Sequence, residues 1–235
     1  MSGTFLGELL SSRLPVVMEI KRRDGHGEDL LRQRSLAEIV SGYHRAGAPC
    51  LSVVTGRWFG GTEEMLPTVA RLTDLPLLKK DLIVTECHLA EAEAMGAAAV
   101  LLTAGILPRS LLRRLITLAL RRGMTPFVEV ASERELDAVV HGEDCVVAVN
   151  NKDIQHRERT AADLGRSGSL LPAALATGTR CPVSASGITE PAQAAQLITM
   201  GFKGVLVGTG LLRAASCQQW ARDFETHRRA LEVLR

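Results

Sequence analysis

No stretch of this chain stays apolar long enough to cross a membrane. The longest nearly uncharged run, residues 94–107, falls short of the roughly 18 residues a spanning helix needs. The first residues, MSGTFLGELLSSR, carry Glu8 where a secretory signal needs a basic head and an unbroken apolar core. Both absences point to a cytoplasmic protein. The five cysteines (Cys50, Cys87, Cys145, Cys181, Cys217) are odd in number and contain no C-x-x-C. A disulfide framework and a zinc clip are therefore not expected, and the cysteines read as small buried hydrophobes. The six histidines form no H-x-H or H-E-x-x-H pair, so no metal site is indicated. Lys and Arg together number 28 against 26 acidic residues, and a formal charge of +2 gives no nucleic-acid surface. Nothing in the pattern specifies an oligomeric state.

What is present is an ordinary globular composition: 235 residues, 46% hydrophobic and 23% charged, which excludes disordered and fibrous classes. Short apolar runs of strand length alternate with longer stretches at helical spacing. Strands are expected at 15–20, 50–54, 76–82, 98–103, 126–130, 145–150, 182–186 and 203–207. Helices are expected at 31–46, 62–72, 86–95, 108–122, 132–141, 164–176, 190–200 and 217–233. Ser132 with Glu135 has capping-box spacing, and Thr189 before Glu190 and Pro191 reads as an N-cap. Eight strand–helix units at roughly 29 residues each suit an α/β fold of the (β/α)8 TIM-barrel type. No linker-like segment divides the chain, so residues 1–235 are expected to form one domain, with 151–163 a longer loop after strand six.

Barrel chemistry sits at the carboxyl ends of the strands. In strand one, period-two alternation sets Glu19 and Lys21 on one face and Met18 and Ile20 on the other. Strand five pairs Phe127 with Glu129 in the same way, and strand six ends in Asn150. Strand three carries Lys79-Lys80, of which one faces inward; the pattern does not say which. Inward charges of both signs either form a buried ion-pair network or carry proton transfer. Four of them ending strands one, three and five favour chemistry.

Ser186-Gly187 follows strand seven, and Gly208-Thr209-Gly210 follows strand eight, opening a short helix at 211–214. These are the loops that hold phosphate in barrels of this kind, the alternative being plain tight turns. The histidines read as surface or packing residues, and the arginine doublets Arg113-Arg114, Arg121-Arg122 and Arg228-Arg229 as solvated helix faces. Cys87 beside His88 lacks a partner for nucleophilic chemistry.

With these residues in place the chain resembles the indole-3-glycerol phosphate synthase family over nearly its whole length. The likeness lies in VVMEIKR (16–22), LSVVTGRWFGGTEEML (51–66), LPLLKKDLIV (75–84), GAAAVLLTAGIL (96–107), FVEVASERELDAV (127–139), VAVNNKDI (147–154), and SGITEPAQA with GVLVGTGLLRA (186–194 and 204–214). The resemblance implies a decarboxylating, dehydrating ring closure of an arylamino sugar phosphate, 1-(2-carboxyphenylamino)-1-deoxyribulose 5-phosphate, without cofactor or metal. By position it makes Lys80 the general acid and Glu129 the carboxylate of the later proton transfer. Lys21 becomes an anion anchor that shares in proton transfer, with Glu19 and Asn150 as polar supports. It puts Phe59, Leu82, Leu101, Lys152 and Ser186 against the substrate, and Gly187, Gly208 and Thr209 against its phosphate.

The chain also departs from the family pattern. Asp24-Gly25-His26 stands where the family reads S-P-S, setting an acid where anionic substrate groups are expected. Ala185 replaces a glutamate, Leu82 an aromatic and Lys152 an arginine, which loses a bidentate fork. Only about 14 residues precede strand one, a shortened N-terminal extension where the family carries covering helices. These departures keep open a diverged enzyme closing rings on a modified arylamino sugar phosphate, and a sugar-phosphate-binding barrel without catalysis. A sugar-phosphate isomerase would need a cysteine at a strand's carboxyl end, and none of the five lies there.

Overall fold

A computed structural model describes residues 4–152 and 162–233. Eight parallel strands, β1 (Val16–Ile20), β2 (Leu51–Val54), β3 (Leu77–Lys80), β4 (Ala99–Thr103), β5 (Thr125–Val130), β6 (Val146–Asn150), β7 (Cys181–Ala185) and β8 (Gly204–Val207), pair in chain order. The sheet closes where Val16–Met18 pair with Val205–Val207. Helices α1 (Phe5–Ser11), α2 (Leu36–Ala46), α3 (Met65–Ala70), α4 (Glu86–Ala94), α5 (Arg109–Arg121), α6 (Glu133–Leu136), α7 (Gly165–Ala176), α8 (Pro191–Met200), α9 (Thr209–Arg213) and α10 (Cys217–Val233), with short 3-10 turns at Arg57–Phe59 and Gly142–Asp144, complete the described elements. This is the (β/α)8 TIM barrel the alternation called for. None of the described helices is long and apolar enough to cross a membrane.

Two apolar layers hold it. Outward strand residues such as Met18, Ile20, Val53, Val100 and Val128 pack against the helices. Inward residues Val17, Leu78, Phe127, Val146 and Leu206 fill the barrel together with Phe5, Leu6 and Leu9 of α1. Phe5 meets Phe127 edge-to-face, with ring centroids 6.3 Å apart.

Helix α1 was not expected, although Phe5, Leu6 and Leu9 have helical spacing. Thr4 caps it by accepting from the Gly7 amide at 3.1 Å. The long first helix expected from residue 31 begins at 36, where Ser35 and Glu38 form a reciprocal capping box. The helix expected over 132–141 ends at 136 instead. Its last turn is opened from outside, because Arg109 and Arg113 donate to the Asp137 carbonyl that a continuing helix would have used. The capping box expected from Ser132 and Glu135 does not form: the Ser132 hydroxyl caps no helix amide and instead donates to Glu135 at 3.0 Å, while the Glu135 carboxylate accepts from the Ala131 amide at 2.8 Å. At α8 the N-cap is Glu190 rather than Thr189; the Gln193 side chain turns back to accept from both amides.

Three cysteines, Cys50, Cys145 and Cys181, are buried, whereas Cys87 is exposed on α4 and Cys217 is half-buried. The uniform reading of cysteines as core residues is thereby corrected: a residue near a helix start faces solvent unless its stripe faces the sheet. The expectations for Asp153, Ile154 and His156 lie outside the described residues.

Candidate active site

Along each strand the inward positions change character toward the carboxyl end. Val17 is followed by Glu19 and then Lys21, Leu78 by Lys80, Phe127 by Glu129, and Leu101 by Thr103. Alternation alone puts these upper residues on the inner face. Packing settles the lysine pair, since Leu78 lies in the inner cluster and Leu77 in the outer. Lys80 therefore points in and Lys79 out.

Glu19 is the hub. Its Oε2 accepts from the Lys80 ammonium at 2.9 Å, and its Oε1 lies 3.3 Å from the Lys21 ammonium. Burial pushes its carboxyl up, but the charges and hydrogen bonds of Lys80 and Lys21 outweigh that and hold it at about 2. Tyr43 of α2 donates its hydroxyl to the Glu19 carbonyl at 2.9 Å, fixing the strand end from behind. The Lys21 ammonium also stands 5.7 Å from the Phe59 ring centroid, within cation–π range. An ion-pair network and a reactive site are thus the same object here, because the network lines open cavities.

Two chambers meet at Glu19, Lys21 and Lys80. The first, about 370 Å³, is walled by Val54, Trp58, Phe59, Leu82, Leu101 and Ile106, with Glu129 and Thr103 also lining it. It suits a flat apolar group. The second, about 290 Å³, is lined by Lys152, Ser186, Gly187, Gly208, Thr209 and Arg213, together with the Asp24–His26 turn. It suits an anion.

The glycines of the second chamber are required by space and conformation. A Cβ at Gly208 would run into the Glu19 carboxylate. Gly187 has φ +76°, where a side chain is strained, and a Cβ there would also strike Ala162. Ser186 itself holds φ +67°, an uncommon state for a non-glycine residue and one that recurs at functional sites.

Asp24 does not act as the free acid its position suggests. Its Oδ1 accepts from the amides of His26 and Glu28 at 2.9 and 3.0 Å, and its Oδ2 from Arg213 at 2.9 Å. Burial raises its carboxyl, and these backbone bonds with the Arg213 charge bring it below the ordinary value. Arg213 also pairs with Glu28. The acid closes its own turn and holds an arginine at the anion chamber, so the expected repulsion is largely countered.

Asn150 is fully buried and lines neither chamber. Its Oδ1 accepts from the Lys152 amide at 2.9 Å, so it shapes the turn that carries Lys152. Behind it the Asn151 amide donates to the Ser184 hydroxyl and the Ala185 carbonyl, both at 3.0 Å, while Ser167 donates to Asn151 Oδ1 at 2.8 Å. That buried polar cluster ties β6 to β7 and to α7. Ala185 itself is buried and brings no carboxylate.

The sequence reading missed Trp58, Ile106 and Arg213, which line the chambers. Trp58 neighbours Phe59 in a quoted block, yet an apolar residue after a strand carries no period that distinguishes wall from core. The isomerase alternative loses further ground: Cys181 opens β7 at the opposite end, its thiol pushed by burial to about 12.

Residues 4–224 match the family profile of indole-3-glycerol phosphate synthase. Among curated proteins, the indole-3-glycerol phosphate synthase of Azoarcus sp. (strain BH72) is 32% identical over 212 residues, covering 90% of this chain and 79% of the relative. That of Nocardioides sp. (strain ATCC BAA-499 / JS614) is 35% identical over 199 residues, 84% and 75% of the two chains. That of Bacteroides thetaiotaomicron is 30% identical over 224 residues, 92% and 81%. With the profile spanning all eight strands and both chambers, the chain belongs to the indole-3-glycerol phosphate synthase family.

Proposed function

We propose that this protein is a lyase that converts 1-(2-carboxyphenylamino)-1-deoxyribulose 5-phosphate into indole-3-glycerol phosphate, carbon dioxide and water. The observation that carries this reading is the position of the Lys80 ammonium, at the junction of an apolar, ring-sized chamber and a cationic one. The substrate has the same two halves, an aryl group and a phosphorylated chain, joined at the reacting carbonyl.

In this reading the aryl ring lies between Phe59, Leu82 and Leu101, and the phosphate lies at Gly187, Gly208 and Thr209, with Lys152 and Ser186 beside it. The ring carbon bearing the carboxylate attacks the ketone carbon, and Lys80 donates a proton to the ketone oxygen as the new carbon–carbon bond forms. The bond to the carboxylate carbon then breaks, its electron pair restores the aromatic ring, and carbon dioxide leaves. Dehydration follows: the new hydroxyl takes a proton from the Lys21 ammonium and departs as water, while the Glu129 carboxylate takes the proton lost from the neighbouring carbon, so that this second exchange is neutral overall. One proton is consumed overall, the one that Lys80 supplies and solvent replaces. Glu19 is the positioning residue. Its paired oxygens hold both ammonium groups in place, a preorganised arrangement of the kind that lowers barriers most. Asn150 acts one step removed, through the Lys152 turn.

A second reading, ring closure on a modified arylamino sugar phosphate, is favoured by Leu82, which is 40% exposed at the mouth of the aryl chamber, and by Ala185. Incubating the purified protein with the unmodified substrate and following indole fluorescence separates the two. Robust turnover supports the first; binding of substrate with no product removes it and leaves the diverged enzyme or a binding barrel.

A further inference from the structure

Lys79 stands on the outer face of β3, in a row of apolar residues. Its strand neighbours are Val53 and Val100, both fully buried. Its side chain is nearly as deep, 5% exposed, yet it makes no ion pair among the described residues. Its one polar contact there is the Met95 thioether, 3.8 Å from the ammonium. A buried cation is costly without an anionic partner, and a thioether sulfur is only a weak acceptor.

Lys79 and Met95 line a cavity of about 680 Å³ between β3 and α4. It lies outside the barrel and shares only Trp58, Asp81 and Leu82 with the aryl chamber. Asp81 is already engaged: Oδ2 accepts from Thr55 at 2.6 Å and Oδ1 from the Leu82 amide at 2.8 Å. The remaining carboxylates, Glu63, Glu64 and Glu91, are exposed. The cavity thus has one cation at depth, three acids and a single cation, Arg57, toward solvent, and apolar surface from Trp58, Ile83 and Met95. Phosphate or a dicarboxylate would bring extra negative charge toward those acids. A single carboxylate on an uncharged body meets the ammonium without that penalty.

We propose that this cavity is a second ligand site, distinct from the catalytic chambers, that takes a small monocarboxylate with an apolar body and holds its carboxylate on Lys79. The test is an NMR titration of the intact protein with carboxyl-labelled hexanoate, run beside hexanamide, adipate and inorganic phosphate. The expected result is saturable hexanoate binding near about 1 mM, the range open to so small a ligand. Hexanamide, adipate and phosphate should each bind at least about tenfold more weakly, a factor that a charge-assisted hydrogen bond readily supplies. Lys79→Met should abolish the preference for hexanoate over hexanamide, whereas Lys80→Met, on the opposite face of the strand, should leave it intact. Equal binding of hexanoate and hexanamide by the unaltered protein overturns the proposal without reference to any variant. So does the absence of saturation, retention of the preference in Lys79→Met, or its loss in Lys80→Met, which would put hexanoate in the catalytic chambers.

Discussion

The two ends of the barrel interior are built from the same strands and differ in every property that matters. At the amino end, Val17, Leu78, Phe127 and Val146 close on Phe5, Leu6 and Leu9 in a dry apolar plug. Two residues further along, Glu19, Lys80 and Glu129 line open chambers. The first arrangement gains free energy by excluding water and asks only for volume. The second retains charges in a partly desolvated space, which requires pairing and leaves groups poised to move protons. A single strand thus spends one pleat on stability and the next on chemistry, as is usual for barrels of this type.

The sharpest way to break this division is to exchange one residue from each end. Lys80→Met should lower kcat/KM for the ring closure by about 10² to 10⁴, the worth of a positioned general acid, while thermal unfolding stays close to that of the unaltered protein. Indole fluorescence and calorimetry measure the two quantities. Near-normal turnover would sink the assignment of Lys80. At the other end, Phe127→Ala empties the plug beneath Phe5 and should cost about 3 to 5 kcal/mol of stability, read from denaturant unfolding. Its folded fraction should keep KM within about tenfold, because among the described residues the plug reaches the first chamber through Leu101 alone.

A third test concerns acid. The Glu19 carboxyl is held at about 2 in the fold against an ordinary value of 4.5, so between those values the unfolded chain binds more protons than the native one. Its contribution to stability is therefore complete above pH 4.5 and drains away as pH falls toward 2. In Glu19→Gln that segment of the stability–pH curve should flatten; an unchanged slope would mean that Glu19 is not held by the two lysines. The smallest expected effect lies on the outer face. Lys79→Met removes a buried charge that has no ion pair among the described residues, and should raise stability by about 1 kcal/mol, again by denaturant unfolding.

Much of this site was legible in the order of residues. Period-two alternation put Glu19 with Lys21 and Phe127 with Glu129; Leu101, Phe59 and Leu82 line the first chamber and Lys152, Ser186, Gly187, Gly208 and Thr209 the second. What escaped was long-range. The expected helix over 132–141 was cut short by arginines from α5 that precede it by more than 20 residues. Asp24 read as a repulsive acid because its partner, Arg213, is 189 positions away. Helix α1 was passed over because seven residues offer too few turns for a periodic signal to stand out.

By itself the sequence determined the repeating strand–helix pattern, the polar strand ends and the glycine loops, because each depends on contacts within a few residues. Only the tertiary structure decided that Lys80 rather than Lys79 enters the barrel, that one carboxylate on β1 serves Lys80 of β3 and Lys21 just past β1, and that Asp24 pairs with Arg213. Those outcomes depend on how the strands register when the sheet closes on itself, and closure brings together side chains whose separation along the chain carries no trace of their meeting.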